Sequence, residues 1–348
     1  MSRRRRKSSR EKNLTSSYFS GDIDEDRVEP RQRFTEKSKH AQQDKMERTA
    51  VSRAIETEAS GGAEDLPLGQ VIQVHSLYCQ VEHQSGVRLC VVRKTLSKLS
   101  DTSIVVGDVV RFRDIGSSEE PGRPEAVIEQ VLPRKTVLTR AGSFHSHRQQ
   151  PIVANAQQML IVTSVAQPKI KWGLIDRMLV AAQSGGLTPI ICLNKIDLAD
   201  SSAQAAKQLA LARQALAHYA AMGITTLQAS ATRKIGIDAL AAALTGLTTV
   251  LAGHSGVGKS TLIDAIQGDL NIRMGQVSTV TEKGRHTTSS AQRYRLDIGA
   301  YVIDTPGIKQ FGLWGVTAER LADYFPDIQN GTAPPWRIES HDRIAQSL

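Results

Sequence analysis

The sequence predicts a multi-domain protein in which a small antiparallel β-barrel precedes an α/β domain with a phosphate-binding loop. Three observations predict this fold class. The stretch "LAGHSGVGKSTLIDAI" (251–266) fits the pattern GxxxxGK[ST], between an apolar strand-like run and residues with helical spacing. Short segments rich in β-branched residues, separated by turn residues, fill 66–136. The 348 residues, of which 40% are hydrophobic, are enough for two or three domains.

The first 65 residues are predicted to form a disordered tail, because they are charged, poor in apolar residues and without sustained periodicity. Residues 1–12, "MSRRRRKSSREK", carry seven basic groups and one acidic group, a net charge of +6 out of +9 for the chain. This run indicates nonspecific attraction to RNA, and a purely solubilising tail is the alternative. The sequence contains neither a secretory signal nor a run of roughly 18 apolar residues, so we expect a cytoplasmic protein without a membrane span.

The segment 66–136 has the strand spacing of a small barrel, in "LGQVIQVHSLYCQVEHQSGVRLCVVRK", "VVGDVVRFRD" and "EAVIEQVLPRKTVLTR". Barrels of this size commonly bind oligonucleotides, and a barrel used only for packing is the alternative. Basic residues near its exit are candidates to follow a phosphate backbone, although such a run is as often a solvated loop. These residues are Arg134, Lys135, Arg140 and Arg148, with His145 and His147 nearby.

The glycine-rich loop is predicted to bind the phosphates of a nucleotide. Backbone N–H groups of the loop and of the following helix N-terminus would surround the phosphates. Lys259 would reach the outer phosphates, and the hydroxyl of Ser260 would bind Mg²⁺. An ordinary glycine-rich turn is the alternative, and both flanks argue against it. The predicted contacts are Gly253, His254, Ser255, Gly256, Val257, Gly258, Lys259, Ser260 and Thr261.

A second element, "PIICLNKIDLAD" (189–200), is an apolar strand that ends in the guanine-reading pattern NKxD. A carboxylate at Asp197 would accept hydrogen bonds from N1–H and the 2-amino group of guanine, and adenine has neither donor there. NKxD alone is often only a polar strand end, but together with the phosphate loop it indicates GTP. In "LQASATRKIGIDAL", two residues after a strand would present their backbone to guanine O6. The predicted guanine site is Asn194, Lys195, Ile196, Asp197, Ser230 and Ala231.

A third element, "YVIDTPGIKQF" (301–311), fits the pattern DxxG. Asp304 would lie beside Mg²⁺, and the N–H of Gly307 would point at the γ-phosphate, so that hydrolysis would release the following loop. A strand that runs into a Pro-Gly turn is the alternative. Between the two phosphate elements, "EKGRHTTSSAQ" supplies Thr287 and Thr288. Either threonine is a candidate Mg²⁺ ligand, with Thr288 preferred, unless this is an ordinary polar loop.

The order of these motifs predicts a circularly permuted domain. In an ordinary GTPase the phosphate loop comes first and NKxD follows DxxG, whereas here NKxD and Ser-Ala precede the phosphate loop. Permutation is tolerated where the original termini lie close together on the surface, because the sheet and its contacts remain. The chain therefore leaves the domain just after the segment that would sense the γ-phosphate.

With "CLNKIDL", "GHSGVGKSTL", "GRHTT" and "DTPGIKQFGL" in this order, residues 66–329 resemble the RsgA family of circularly permuted GTPases. The resemblance implies an OB-fold at 66–136 that contacts ribosomal RNA and a GTPase domain at 137–313. It also implies Mg²⁺-dependent hydrolysis of GTP to GDP and phosphate, stimulated by the small (30S) ribosomal subunit during its late assembly. The implied partners are that subunit, its 16S rRNA and GTP or GDP, and a monomer suffices.

The resemblance further implies a C-terminal zinc module with three cysteines and a histidine, but no cysteine follows Cys192. We therefore expect 314–348 to be a divergent remnant without zinc ligands, and either a lost module or a frameshifted end explains it. Cys79, Cys90 and Cys192 have no metal-ligand spacing, so we expect reduced, half-buried packing residues.

The residue after DxxG is Ile308, where many Ras-like GTPases have a glutamine that orients the attacking water. Intrinsic hydrolysis is therefore expected to be slow. Our hypothesis is that His286 approaches the γ-phosphate when the ribosomal subunit orders its loop, with a structural histidine as the alternative. A non-catalytic RNA-binding assembly protein that only holds guanine nucleotide is the alternative function, and NKxD disfavours an ATP-dependent kinase or transporter. The predicted catalytic residues are Lys259, His286, Thr287, Thr288, Asp304 and Gly307.

Overall fold

A computed structural model of the chain describes residues 63–75, 78–92, 103–116, 124–140, 150–267, 291–305, 313 and 315–348. Several predictions of function fall outside these ranges. Nearly all of the predicted tail does so, and its last three residues, Ala63–Asp65, form a 3₁₀ turn. The individual residues that the sequence analysis names and that lie outside these ranges are His145, His147, Arg148, His286, Thr287, Thr288, Gly307 and Ile308.

Within the described residues, five strands close into a barrel, as the sequence predicts. Their order is β1–β2–β3–β5–β4, and β4 pairs back onto β1. Only β3 and β5 run parallel to each other, and the other neighbours are antiparallel. This closed connectivity is that of an OB-fold. The strands are β1 (Leu68–Val74), β2 (Cys79–His83), β3 (Gly86–Val92), β4 (Val109–Asp114) and β5 (Ala126–Val131).

The three cysteines are buried rather than half-buried, so this part of the sequence prediction is corrected. Cys79 and Cys90 lie opposite each other in the barrel core, and Cys192 lies inside a strand of the second domain. Burial raises the pKa of Cys79 to about 11 and those of Cys90 and Cys192 to about 12. All three thiols are therefore protonated at neutral pH and act as small apolar packing groups.

The second domain is built on a mostly parallel sheet with the order β10–β9–β8–β11–β13–β12, in which only β12 is antiparallel to its neighbour β13. A separate antiparallel pair, β6 and β7, precedes it. Strands β8 and β11 are buried along their whole length, which explains their uninterrupted apolar runs at 159–162 and 250–252. The strands are β6 (Val137–Arg140), β7 (Gln150–Ala154), β8 (Gln158–Ser164), β9 (Thr188–Asn194), β10 (Thr225–Gln228), β11 (Thr248–Ala252), β12 (Gln292–Arg295) and β13 (Tyr301–Asp304).

Helices cover both faces of this sheet. Met159 and Ile161 of β8 pack with one group of helices, and Leu160 and Val162 pack on the opposite face with another. In the described ranges no helix is long and apolar enough to cross a membrane. The helices are α1 (Trp172–Ser184), α2 (Ala203–Ala221), α3 (Ile237–Leu244), α4 (Lys259–Gln267), α5 (Ala318–Leu321), α6 (Pro326–Gln329) and α7 (Pro335–Ala345), with 3₁₀ turns at Ile196–Ser201 and Ala322–Tyr324.

The C-terminal helices belong to the core formed with α1 and α2. Leu321, Phe325 and Ile344 are buried there among residues of the sheet and of α1. Trp336 of α7 packs against Trp172 of α1, with 5.3 Å between the ring centroids. The end of the chain, for which the sequence predicts only a divergent remnant, is therefore folded onto the second domain.

A buried ion-pair network joins these helices. The guanidinium of Arg337, whose side chain is 2% exposed, donates to Asp176 on α1 at 2.5 Å and to Asp327 on α6 at 2.9 Å. The hydroxyl of Tyr219 donates to Asp176 at 2.6 Å, and a ring nitrogen of His218 lies 2.8 Å from Asp327. Burial raises the pKa of Asp176, and Arg337 opposes this shift. Removal of Arg337 would leave two buried carboxylates without their cation.

Candidate nucleotide-binding site

The site lies at the carboxyl ends of the parallel strands, where ligands bind in sheets of this kind. The phosphate loop connects β11 to α4, and the NKxD motif begins at the last residue of β9. Asn194 is in register with Ser164 of β8, and Asp304, at the end of β13, is in register with Leu251 of β11. Motifs that are up to 110 positions apart (304 − 194) thus meet at one edge.

The glycines of the phosphate loop are required by its backbone. Gly253, Gly256 and Gly258 have φ angles of 137°, 82° and 94°, which residues with a Cβ rarely adopt. A Cβ at Gly258 would also overlap the side-chain amide of Asn194. The loop is therefore held close against the guanine-reading segment.

Two residues of the NKxD motif donate side-chain hydrogen bonds to this loop. Asn194 is 1% exposed and donates from Nδ2 to the carbonyl oxygen of Val257 at 2.9 Å. Lys195 has a left-handed backbone conformation with φ 58°, and its Nζ donates to the carbonyl oxygens of Gly256 at 2.7 Å and Gln167 at 2.6 Å. The segment that would hold guanine and the loop that would hold phosphate are consequently one hydrogen-bonded unit.

Asp197 is oriented by a buried hydroxyl. Ser230 is fully buried and donates from Oγ to Oδ1 of Asp197 at 2.5 Å, while its Oγ accepts from the N–H of Arg233 at 3.2 Å. Asp197 itself is partly exposed. The sequence predicts a backbone role for Ser230 and misses this side-chain contact, because nothing in the tetrapeptide NKID reveals which residue will face Asp197.

Lys259 and Asp304 lie close enough for each charge to influence the other. The Nζ of Lys259 donates to the carbonyl oxygen of Gly253 at 3.0 Å. Burial lowers the pKa of Lys259, and the nearby charge of Asp304 opposes this shift. Burial raises the pKa of Asp304, while Lys259 and the N–H of Thr305 lower it. Each group therefore favours the charged form of the other, which suits a site for an anionic nucleotide.

The residues at this edge fit a magnesium ion. Ser260 lies in the first turn of α4 and Asp304 at the end of β13, and Mg²⁺ prefers hydroxyl and carboxylate oxygens. In the part of the chain that the structure describes, no group of three or more His, Cys, Asp or Glu side chains is placed to hold a metal. Mg²⁺ is commonly bound by one or two protein oxygens together with substrate phosphates, and Ser260 and Asp304 are the candidates for those oxygens.

The other predicted contacts lie around the same edge. His254 and Ser255 are exposed at the tip of the phosphate loop, Thr261 is exposed in the first turn of α4, and Ala231 follows Ser230 in a turn. Ile196 begins the 3₁₀ turn after NKxD. Their contacts with nucleotide stay predictions, as do those of the threonines, His286 and Gly307. Sequence reasoning missed the contact of Lys195 with the carbonyl oxygen of Gln167, for which the sequence contains no signal.

The fold and the site define a circularly permuted P-loop protein of the guanine-nucleotide-binding class, preceded by an OB-fold. Residues 131–314 match the family described as RsgA GTPase, and the chain belongs to this family of GTP hydrolases. The fold class, the family and the GTPase activity predicted from the sequence are thereby confirmed.

Relatives support this assignment over most of the chain. "Small ribosomal subunit biogenesis GTPase RsgA" of Proteus mirabilis is 31% identical over 309 residues, covering 80% of this chain and 84% of the relative. The protein of the same name from Haemophilus influenzae (strain PittEE) is 36% identical over 262 residues, covering 75% of this chain and 71% of the relative.

Solved structures have the same architecture. The crystal structure of YjeQ from Thermotoga maritima superposes with a TM-score of 0.61 at 28% identity, covering 81% of this chain and 98% of that one. YloQ, described as a circularly permuted GTPase, has a TM-score of 0.57 at 20% identity, covering 83% of this chain and 97% of that one. The second likeness concerns the fold alone.

Proposed function

We propose that this chain hydrolyses GTP on the maturing small ribosomal subunit, where its barrel contacts 16S rRNA. The proposal rests on one observation, that the NKxD motif and the phosphate loop form a single hydrogen-bonded unit. This unit is built on a sheet that continues into a barrel of the type that binds RNA. The names of the relatives, which specify biogenesis of the small ribosomal subunit, support the choice of partner. Such a protein would work in the cytoplasm, and a monomer contains the whole proposed site.

Guanine is selected at Asp197. Its carboxylate accepts from N1–H and the 2-amino group of the base, and the hydrogen bond from Ser230 keeps one carboxylate oxygen in place. A base without these donors leaves the carboxylate unpaired, which costs roughly 1–3 kcal/mol or more for a charged group. The site therefore favours GTP and GDP over adenine nucleotides.

The phosphates are held by the loop and by Lys259. Backbone N–H groups at the N-terminus of α4 orient them, and the Lys259 ammonium, now paired with backbone carbonyls, turns to the outer phosphates. Ser260 and Asp304 would hold Mg²⁺, which would supply positive charge to offset that of the phosphates. Transfer of the phosphoryl group to water then depends on charge stabilisation by fixed groups of this chain.

Slow intrinsic turnover and stimulation by the subunit form the second part of the proposal. Ile308 offers no hydrogen bond to the attacking water, so another group has to orient it. His286 is our candidate, because it neighbours the predicted Mg²⁺-binding threonines in the sequence. A chain that holds guanine nucleotide without hydrolysing it is the competing function, and the apolar residue at 308 is the observation that favours it.

The deciding experiment measures GTP turnover by the purified chain with and without salt-washed small ribosomal subunits. Lys259→Ala is the blank, because it removes the cation that reaches the outer phosphates. We expect at least ten-fold stimulation by subunits. Normal GTP binding without stimulated turnover would contradict the proposal and favour the nucleotide-holding alternative. His286→Ala, assayed in parallel, should abolish most of the stimulation, and an unchanged rate would remove His286 from the mechanism.

A further inference from the structure

Strand β12 joins the barrel to the nucleotide site. On one side it pairs with β13, where Gln292 is directly opposite Asp304. On the other side it pairs with β1 of the barrel, where Gln292 is opposite Gln73. The three residues form a row across three strands, so the barrel and the Asp304 end of β13 are connected by continuous sheet hydrogen bonding.

This backbone connection is short, because the β1–β12 register contains a single residue pair. It is reinforced by a side-chain ion pair, in which Nη1 of Arg293 lies 2.6 Å from Oε2 of Glu82 on β2. The Arg293 side chain is 6% exposed and that of Glu82 is 33% exposed. The Arg293 end of this contact is thus buried and the Glu82 end partly exposed, so water and salt screen the pair less than a fully exposed one.

Arg293 has few other ways to satisfy its charge. Its guanidinium stacks 3.4 Å above the ring centroid of Tyr301 on β13, and its Nε has no hydrogen-bond partner among the described residues. Glu82 is therefore the anion that compensates Arg293, and Tyr301 fixes the guanidinium against the strand that ends in Asp304. A displacement of β2 in the barrel would therefore also move β12 and β13.

We propose that the Glu82–Arg293 ion pair is a positioning contact that couples the barrel to Asp304, so that stimulation of GTP hydrolysis by RNA or subunit bound to the barrel depends on it. The proposal rests on the proposed function for the identity of the stimulating partner. Neither residue touches the nucleotide, so both act through β12. The pair controls the stimulated rate, whereas GTP binding and basal turnover do not require it.

The variant Glu82→Gln tests this, because it keeps the shape of the side chain and removes its charge. The matched control is Glu129→Gln, which alters a carboxylate that lies 3.1 Å from Arg113 entirely within the barrel. For Glu82→Gln we expect at least a five-fold lower subunit-stimulated kcat, with basal turnover and the KM for subunits within two-fold of the parent. Glu129→Gln should keep the full stimulation. If the Glu82–Arg293 pair only stabilised the fold, Glu82→Gln would change basal turnover or the KM for subunits as well.

A second measurement needs no ribosome. Backbone hydrogen exchange in β1 and β2 is compared between the GDP state and a non-hydrolysable GTP analogue. The parent should change protection in these strands with the nucleotide, and Glu82→Gln should lose that change while remaining folded. Equal stimulation of Glu82→Gln and the parent, or an unaltered exchange response, would overturn the coupling. Absence of stimulation in the parent would instead reject the proposed function, and the exchange result would still decide the coupling.

Discussion

At the scale of single residues, Asp197 is the side chain that we propose selects the base. The substitution Asp197→Asn replaces an acceptor by an amide that can donate, which suits the C2 carbonyl of xanthine better than the 2-amino group of guanine. We expect a loss of GTP affinity of roughly ten-fold or more, since hydrogen bonds to charged groups contribute about 1.5–3 kcal/mol. Affinity for XTP should rise in the same variant. Competition against a fluorescent guanine nucleotide measures both.

The control for this substitution is Asp200→Asn. Asp200 lies three positions further along and pairs on the surface with Arg233 at 2.6 Å, so its loss changes local charge without removing a base contact. The control should keep its preference for GTP. If Asp197→Asn also retained it, the base would have to be recognised elsewhere and the NKxD assignment would be wrong.

The same residues illustrate what the sequence can predict at this scale. NKxD makes Asp197 the candidate for base recognition, because a carboxylate can accept from both donors of guanine. The support from Ser230, 33 positions away, and the contact of Lys195 with Gln167, 28 positions away, depend on how strands pack side by side. No local spacing encodes such pairs, so they emerge only from the folded sheet.

At the scale of elements, α7 is held to the second domain by the Arg337 network. Arg337→Met replaces the guanidinium by a shorter, uncharged side chain and leaves Asp176 and Asp327 buried without the cation that pairs with both. Removing one partner of a buried pair costs about 3–5 kcal/mol, so we expect a loss of this size in the free energy of unfolding. Urea denaturation monitored by tryptophan fluorescence is suitable, because Trp172 and Trp336 lie beside the network.

Arg343→Met is the matched control on the same helix. Its guanidinium lies 3.0 Å from Glu339 and both side chains are largely exposed, so the loss should stay within about 0.5 kcal/mol. Equal unfolding free energies for the two variants would contradict a stabilising role for the buried network.

Elements differ in how far the sequence predicts them. The phosphate loop, β11 and α4 follow from apolar periodicity and from glycines that the loop backbone needs. The packing of α7 does not, because Arg337 and Asp176 are 161 positions apart and each resembles an ordinary surface charge in sequence. Without cysteines after Cys192, the sequence predicts a divergent remnant and does not reveal whether it folds, whereas buried charges and aromatic contacts hold this end of the chain in place.

At the scale of the whole molecule, the order of motifs was sufficient to predict a permuted sheet, because each motif belongs to one strand end. The continuation of that sheet into the barrel was not predictable. It depends on one backbone register pair and one ion pair, and neither leaves a pattern in the sequence. The barrel and the GTPase sheet, which the sequence separates at about residue 137, are thus physically continuous.

The distribution of charge leads to the last prediction. Residues 1–12 carry +6 of the formal net charge of +9, so the remaining chain carries only +3. Deletion of these twelve residues should weaken binding to single-stranded RNA at low salt and leave basal GTP turnover unchanged. Each lost phosphate contact makes the slope of log K against log salt less steep by roughly 0.7, so the loss of seven basic groups changes this slope by at most about 5.

A scrambled segment of equal charge should restore the slope, which would identify the attraction as nonspecific. An unchanged slope after deletion would instead identify a solubilising tail and assign RNA binding to the barrel.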